Sequence, residues 1–510
     1  MLAYPPGVTS TDQRDEFAVD APGADEVQVV AWPLLWRERL TQRVEASSRY
    51  PYLVLATCLF GLFSVGFTIT ILATSIPRIA TELHSTESTV TWVVTAPLLM
   101  FAVFGPAAGK LGDLRGHRTV YLCSLAGVSV FAAFTALSPN VGVLIACRAL
   151  GAAIGAAEGP SSLAIINRMF PSERRAQALG WWSMVGAGAP VVGVVAGGPA
   201  VEAFGWRWIF VAQVPLTLAT VVLASAVLPD TERTATDAPF DIAGAVTLGT
   251  AALALLLAIN QGPSAGWTSP VVVAGIAIAV LLGIAFARIE RRVEQPLLPL
   301  HYLRRRNFAF PMVTQFFGNF SYMGGFILTP LFLQDEFGYG EARAGLLNIS
   351  RPLTFAIVGP VAGYVALKSG ERVVAAVGAL SLFASMLALA HVAPGDSDVL
   401  IVGALALSGI GMGAMSPSMV AAVANAVDDA DLGIAGATTQ MISQIGVVLG
   451  MQVLQAVHVA RTDAVGGVTA FHEAYLVGGV AALLATGAAL FVRRSTFGAG
   501  VEDATVASRT

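Results

Sequence analysis

Long apolar segments recur along this chain from end to end, and that recurrence limits its fold more than any other feature. Segments of about 20 mainly apolar residues, the length that crosses a bilayer's hydrocarbon core as a helix, fall near 52–74, 90–110, 118–138, 141–166, 176–200, 207–228, 240–260, 270–288, 308–333, 343–367, 372–392, 398–425, 432–458 and 473–492. Inside lipid the backbone has no water to bond, so such segments adopt the element that satisfies its own polar groups. The pattern therefore predicts an all-α membrane protein with fourteen transmembrane helices. Composition agrees: 55% of the 510 residues are hydrophobic and 12% are charged, against about 25% charged in ordinary soluble domains. A soluble domain of that composition would expose large apolar patches, whereas lipid accepts them.

The polar remainder excludes several classes. A net charge of −4 argues against a nucleic-acid partner. The three cysteines (Cys58, Cys123, Cys147) lie inside apolar stretches, which points away from a disulfide framework or a metal site. No phosphate-cradling GxxxxGK[ST] occurs, so ATP is not expected to drive the protein directly. No metal, nucleophile or cofactor signature appears, so neither an enzyme nor a cofactor is expected. Residues 1–50 are polar, with Pro5-Pro6 and an acidic run from Asp12 to Asp25, and read as an N-terminal tail without a cleavable signal peptide. Within it, residues 26–46 mix Trp32, Leu35, Trp36 and Leu40 with Arg37, Arg39 and Arg43. That stretch is either a short interfacial helix or a linker interrupted by Pro33.

Basic residues give the orientation. With the N-terminus inside, the inner loops hold Lys110, Arg115, Arg118, Arg168, Arg174, Arg175, Arg233, the cluster Arg288 to Arg306, Lys368, Arg372, Arg493 and Arg494. The outer side holds only Arg78, Arg207, Arg343 and Arg461. Positive charge concentrates on the cytoplasmic side of membrane proteins, so both termini are expected in the cytoplasm. The acidic inner loop ANAVDDADLG counts little in this rule.

An internal repeat divides the chain. Residues 105–118 read GPAAGKLGDLRGHR and residues 359–372 read GPVAGYVALKSGER. Gly105, Pro106, Ala108, Gly109, Gly116 and Arg118 recur at a constant offset of 254 as Gly359, Pro360, Ala362, Gly363, Gly370 and Arg372. The offset joins spans of the same orientation, as expected for parallel six-helix halves of a transporter. The expected organisation is a cytoplasmic tail (1–50), a first half (51–229), two inserted helices with a cytoplasmic linker (230–300), a second half (301–494) and a cytoplasmic tail (495–510).

GKLGDLRGHR resembles the signature loop G-x-L-x-D-x-x-G-x-R of the major facilitator superfamily, with His117 in place of a usual Arg or Lys. In residue terms, Gly109 lets helices approach, Gly116 permits a tight turn, and Asp113 can meet a helix's positive end. The resemblance implies the major facilitator fold and a conformational latch formed by Gly109, Asp113, Gly116 and Arg118. The second copy carries Leu367 where the first has Asp113, so its latch is expected to be weaker or lost.

The fourth span resembles the family's Arg-bearing helix through Arg148, although Gly151-Ala152 stands where Gln-Gly often follows. An arginine at membrane depth needs protein or water around it, which makes function the default reading. Glu158 lies ten residues on, about 15 Å along and about 80° around an ideal helix. The two cannot pair directly but can line one wide cavity. Glu158 is either a proton carrier of an antiporter or a hydrated charge at the outer mouth.

GWWSMVGAGAPVVGVVAGG resembles the antiporter motif of the superfamily. Gly186, Pro190, Gly193 and Gly197, followed by Gly198, form a continuous helical stripe that lets another helix pack closely, and Pro190 favours a kink. FGWRWIFVAQVPL (204–216) is similar to the fourteen-helix drug:proton antiporters of the EmrB/QacA type. The first span departs from them. It carries Thr68 where that subfamily has an Asp, and Ala73 where it has an Asn.

In the second half, Gln315, Asn319 and Tyr322 space at four and three, and Asn348 and Arg351 at three. Each set can project a polar face into the bundle, which makes these residues, with Thr68, candidates for a substrate cavity. An anionic substrate group or Glu158 can partner Arg351.

The resemblance implies a proton-driven exporter of hydrophobic or amphipathic compounds, with a small amphipathic substrate, protons and membrane lipid as partners, in a bacterial plasma membrane. Two alternatives stand beside it: export of a lipid or lipid-linked envelope component, and a non-transporting sensor or scaffold.

Overall fold

The computed structural model describes residues 49–68, 72, 75–230, 241–293, 296–297 and 300–493. The expected interfacial helix, Ala73, most of the first linker stretch and the C-terminal tail lie outside the described residues. Among those described there are eighteen α-helices, two short 3-10 turns and no strand.

An N-terminal group comprises α1 (Tyr50–Gly66), α2 (Ile76–Glu82), α3 (Glu87–Val90), α4 (Trp92–Arg115), α5 (His117–Ala136), α6 (Val141–Gly155), α7 (Glu158–Met169), α8 (Ser172–Phe204) and α9 (Arg207–Val227). Next come α10 (Ile242–Ala265) and α11 (Pro270–Glu290). A C-terminal group comprises α12 (Arg306–Asp335), α13 (Glu341–Asn348), α14 (Ser350–Ser369), α15 (Glu371–Leu389), α16 (Asp398–Ala424), α17 (Leu432–Val465) and α18 (Gly467–Phe491).

Twelve stretches among the described residues are long and apolar enough to cross a membrane, where the sequence pattern predicts fourteen. In two of them a pair of helices makes one span: α6 with α7, and α13 with α14. The two expected spans outside this count are α1, apolar but only 17 residues long, and α8, a helix of 33 residues.

Each group has its own apolar core. Trp206, Phe210, Leu144 and Leu72 anchor the first; Phe332, Met386, Met415 and Tyr475 anchor the second. Lipid gives no hydrophobic drive between helices, so close backbone approach at small residues carries the packing. In α12 against α17, a Cβ at Gly324 would lie 2.7 Å from the Gly450 carbonyl oxygen, and one at Gly450 would collide with the Phe320 carbonyl. Gly450→Leu is therefore expected to destabilise the C-terminal group by about 1–3 kcal/mol or more, read as a lower melting temperature and loss of monodisperse protein in detergent.

The helices between the groups bridge them. Leu256 and Ile259 of α10 pack with Leu99 and Ala102 of α4 and with Val448 of α17. Helix α11 lies outside α10 and exposes Val271, Val273, Val280 and Leu281, an apolar face suited to lipid. The repeat has a backbone counterpart: Gly116 (φ 92°) closes α4, and Gly370 (φ 83°) closes α14 at the equivalent place. Both sit in the left-handed region that a Cβ disfavours.

Candidate functional site

The two helix groups are clasped at the end of the bundle where the repeat loops lie. Asp113, 2% exposed at the end of α4, accepts hydrogen bonds from Gly433 N (3.0 Å) and Ile434 N (2.9 Å) at the start of α17. The first N–H groups of a helix have no internal partner and carry the positive end of its dipole, so a buried carboxylate is well held there. His117 Nε2 sits 2.9 Å from Asp113 Oδ1. Gly109 makes the approach possible, since a Cβ there would lie 2.6 Å from the Gly433 carbonyl oxygen. Arg118 turns elsewhere, donating to Asp230 and to the Ser225 carbonyl at the end of α9.

The second seam, α8 against α14, is built alike. A Cβ on Gly363 would lie 2.6 Å from the Ala176 carbonyl oxygen, and one on Gly180 would lie 2.5 Å from that of Gly359. Leu367, at the position of Asp113, is exposed. Its place is taken by a chain the motif does not announce: Arg175 Nη1 donates to Asn425 Oδ1 (3.0 Å), and Asn425 Nδ2 donates to Glu371 Oε1 (3.0 Å). Arg168 adds a bond to the Asp429 carbonyl (3.1 Å). Sequence reading uses Arg168 and Arg175 only for topology and discounts the acidic loop 425–431. The signal was there, in two loops of opposite charge on one side of the membrane. Tyr302 steadies that loop, its single hydroxyl proton shared between carboxylate oxygens of Asp428 (3.0 Å) and Asp431 (2.8 Å); burial and the Asp431 acceptor push its hydroxyl above the ordinary range.

At the opposite end the ion pairs among the described residues stay within one group. Glu82 meets Arg207 in the first, and Arg343 meets Asp398 (2.7 Å) and Arg461 meets Glu473 (2.6 Å) in the second. Hydrogen bonds joining the groups, among the described residues, all lie at the repeat-loop end.

Thr68 and Arg148 are brought together in one small recess of ≈ 40 Å³ inside the N-terminal group, walled by Phe101, Phe131, Phe210 and Gln213. Arg148 is half-buried. Its Nε donates to the Val93 carbonyl at 3.4 Å, and its guanidinium carbon lies 5.4 Å from the centre of the Phe210 ring. Glu158 is placed apart from this recess. The helix breaks at Ala156–Ala157, and Glu158 begins α7, 4% exposed, with Oε1 lacking a hydrogen-bond partner. Its surroundings are Ser162, Cys58 and Tyr121. The Tyr121 hydroxyl is likewise buried and unpartnered.

The remaining candidates fall in the C-terminal group. Gln315 bonds Ser416 Oγ (3.3 Å), Asn319 bonds the Gln315 carbonyl (2.8 Å) and Asn348 bonds the Phe326 carbonyl (3.1 Å). Arg351 is fully buried and uses one nitrogen, Nη1 to the Tyr322 carbonyl (3.0 Å), leaving Nε and Nη2 unpartnered. Neither Glu158 nor another carboxylate pairs with it among the described residues. In the glycine stripe, α8 runs unbroken through Pro190. Gly186 faces Leu62 of α1, while Gly188 beside it faces Ala356 of α14. Gly193, Gly197 and Gly198 continue the helix.

A polytopic helical bundle in two groups, locked at one end by a carboxylate on a helix terminus, is the architecture of a membrane transporter. The model of the Major Facilitator Superfamily matches residues 58–451 and 312–505, and the chain belongs to that family. It is an integral membrane protein and a transporter, not an enzyme. It is 31% identical over 417 residues to the tetracenomycin C resistance and export protein of Streptomyces glaucescens, covering 81% of this chain and 76% of that one. It is 27% identical over 411 residues to the multidrug transporter protein MdtP of Bacillus subtilis, covering 80% and 76%. Its fold resembles that of the E. coli fucose:proton symporter FucP, with a TM-score of 0.62 at 14% identity, covering 88% of this chain and 100% of that chain.

Proposed function

We propose that the chain is a secondary active exporter of hydrophobic or amphipathic compounds, drugs among them, that works by alternating access and proton antiport. The observation that carries this reading is the one-ended clasp. Bonds that join the groups at one end, with ion pairs confined within a group at the other, fit one of two alternating states. The relatives named as resistance and export proteins support the outward direction.

In this reading α1 and α8 also cross the membrane, giving the fourteen spans of the drug:proton antiporter subfamily. The halves are 51–229 and 301–494, the insertion is 230–300, and the tails 1–50 and 495–510 lie in the cytoplasm of a bacterium. The clasped end is then cytoplasmic. Gly109, Asp113, Gly116 and Arg118 serve the latch; Gly186, Pro190, Gly193, Gly197 and Gly198 form the flexible packing stripe. Arg148 and Thr68 belong to the substrate cavity, and Glu158 carries the proton. Gln315, Asn319, Tyr322, Asn348 and Arg351 are the second half's candidates for the same substrate cavity.

A susceptible bacterial strain carrying the gene tests this. It should survive a panel of amphipathic drugs at higher concentrations than the strain with an empty vector, and should retain less of a fluorescent one. Equal survival and equal retention across the panel would count against drug export. Export of a lipid is the second reading, favoured by the uncharged Thr68, and a labelled lipid in the same assay separates the two.

A further inference from the structure

Three buried polar atoms lie without a hydrogen-bond partner at one level of the N-terminal group: Glu158 Oε1 and Ser161 Oγ in the first turn of α7, and the Tyr121 hydroxyl of α5. A buried polar group left unpaired is costly and calls for an explanation. Antiparallel packing brings the three together. Ser124 Oγ of α5 donates to the Ile154 carbonyl near the end of α6 (3.0 Å), and a Cβ on Gly155 would lie 3.0 Å from Val128. Carried one turn toward the repeat-loop end, that register sets Tyr121 level with Glu158 to Ser162, and the Tyr121 and Glu158 side chains act on each other electrostatically. The Tyr121 hydroxyl fits only because Gly61 of α1 has no side chain; a Cβ there would collide with it.

Other groups near Glu158 offer less. Ser162 gives its proton to the Gly159 carbonyl (2.9 Å) and accepts from Trp182 Nε1 of α8 (3.3 Å). The Cys58 thiol of α1 is a weak donor. Across the interface α17 brings the uncharged Gln440, whose Nε2 lies 3.3 Å from where a Cβ on Gly159 would stand. The charged residues of α4 (Lys110, Asp113 and Arg115) sit in its last two turns. Cys58 and Tyr121 are thus the titratable groups that face Glu158 among the described residues. Resting on the reading of Glu158 as the proton carrier, we propose that Tyr121 is a positioning residue for the proton step: its hydroxyl donates to the Glu158 carboxylate once the proton has left. The phenol keeps its own proton throughout; only the carboxyl proton moves, to water on one side of the membrane and back from the other. The hydroxyl and Oε1 have no other partners, so no hydrogen bond breaks for them to meet. A donor to the charged form favours that form, so Tyr121 sets how readily Glu158 releases its proton.

The test titrates Glu158 in the full chain, held in phosphatidylcholine nanodiscs, by infrared difference spectroscopy. The protonated-carboxyl band of Glu158 is the one missing from Glu158→Gln. Tyr121→Phe should move its titration midpoint up by about one pH unit, a tenfold change in proton affinity, as expected for losing a hydrogen bond to a charged group. The melting temperature should not fall, because the hydroxyl has no bond to lose in the clasped state. The pH of half-maximal gradient-driven export should move the same way. Ser161→Ala and Gln440→Ala should leave the midpoint in place. Installing 3-fluorotyrosine in place of Tyr121, a more acidic phenol and so a stronger donor, should lower it, which keeps the test decisive should Tyr121→Phe not fold.

An unchanged midpoint in Tyr121→Phe, or with 3-fluorotyrosine, overturns the role of Tyr121 while leaving Glu158 as the proton carrier. A midpoint that moves in Ser161→Ala or Gln440→Ala instead gives the donor to that residue and overturns the assignment to Tyr121. Full gradient-driven export by Glu158→Gln, or a parent protein with no titrating Glu158 band, removes the proton-carrier reading and this inference with it.

Discussion

Asp113→Asn should shift the protein out of the clasped state and cut transport sharply while leaving it folded. The carboxylate accepts two N–H groups at the head of α17 and faces His117. Asparagine keeps the shape and one acceptor oxygen but removes the charge. Hydrogen bonds to a charged group contribute about 1.5–3 kcal/mol each, so a loss of about 2 kcal/mol is a modest expectation. That is roughly a thirtyfold change in the ratio of clasped to open forms. Spin labels on Arg115→Cys and Ala430→Cys, exposed positions at the clasped end, report it once Cys58, Cys123 and Cys147 are replaced by serine. The variant should show a longer inter-label distance as its major population. An unchanged distribution would make Asp113 a helix cap without a role in switching.

Glu158→Gln should abolish efflux driven by a pH gradient without lowering the yield of folded protein. Glutamine fills the same space and cannot carry a proton at membrane depth. The site already holds Glu158 with one carboxyl oxygen unpartnered beside the unpartnered Tyr121 hydroxyl, so few bonds are lost. A buried polar group without a partner costs about 1–3 kcal/mol, a cost that function must justify. Full gradient-driven transport by the variant would remove Glu158 from the coupling.

Most of the helices were legible because lipid imposes a simple rule of length and apolarity, which the apolar runs obey within a few residues. The repeat loop was legible because each of its glycines answers one geometric need. At Gly116 and Gly370 that need is a left-handed turn, and at Gly109 and Gly363 it is a carbonyl of another helix at van der Waals distance. Three-dimensional neighbours were not legible. Spacing on an ideal helix let Arg148 and Glu158 line one cavity, yet Arg148 lies beside Phe210 while Glu158 is buried near Cys58 and Tyr121. The Arg175–Asn425–Glu371 chain joins residues some 50 to 250 apart in sequence, and no local pattern announces such pairings.

Transport by purified protein in sealed proteoliposomes tests proton-driven export most directly. An imposed pH gradient should drive accumulation of an amphipathic drug against its concentration gradient, and collapsing the gradient with an ionophore should stop it. Accumulation that is indifferent to the gradient, or confined to a labelled lipid, would contradict proton-coupled drug export.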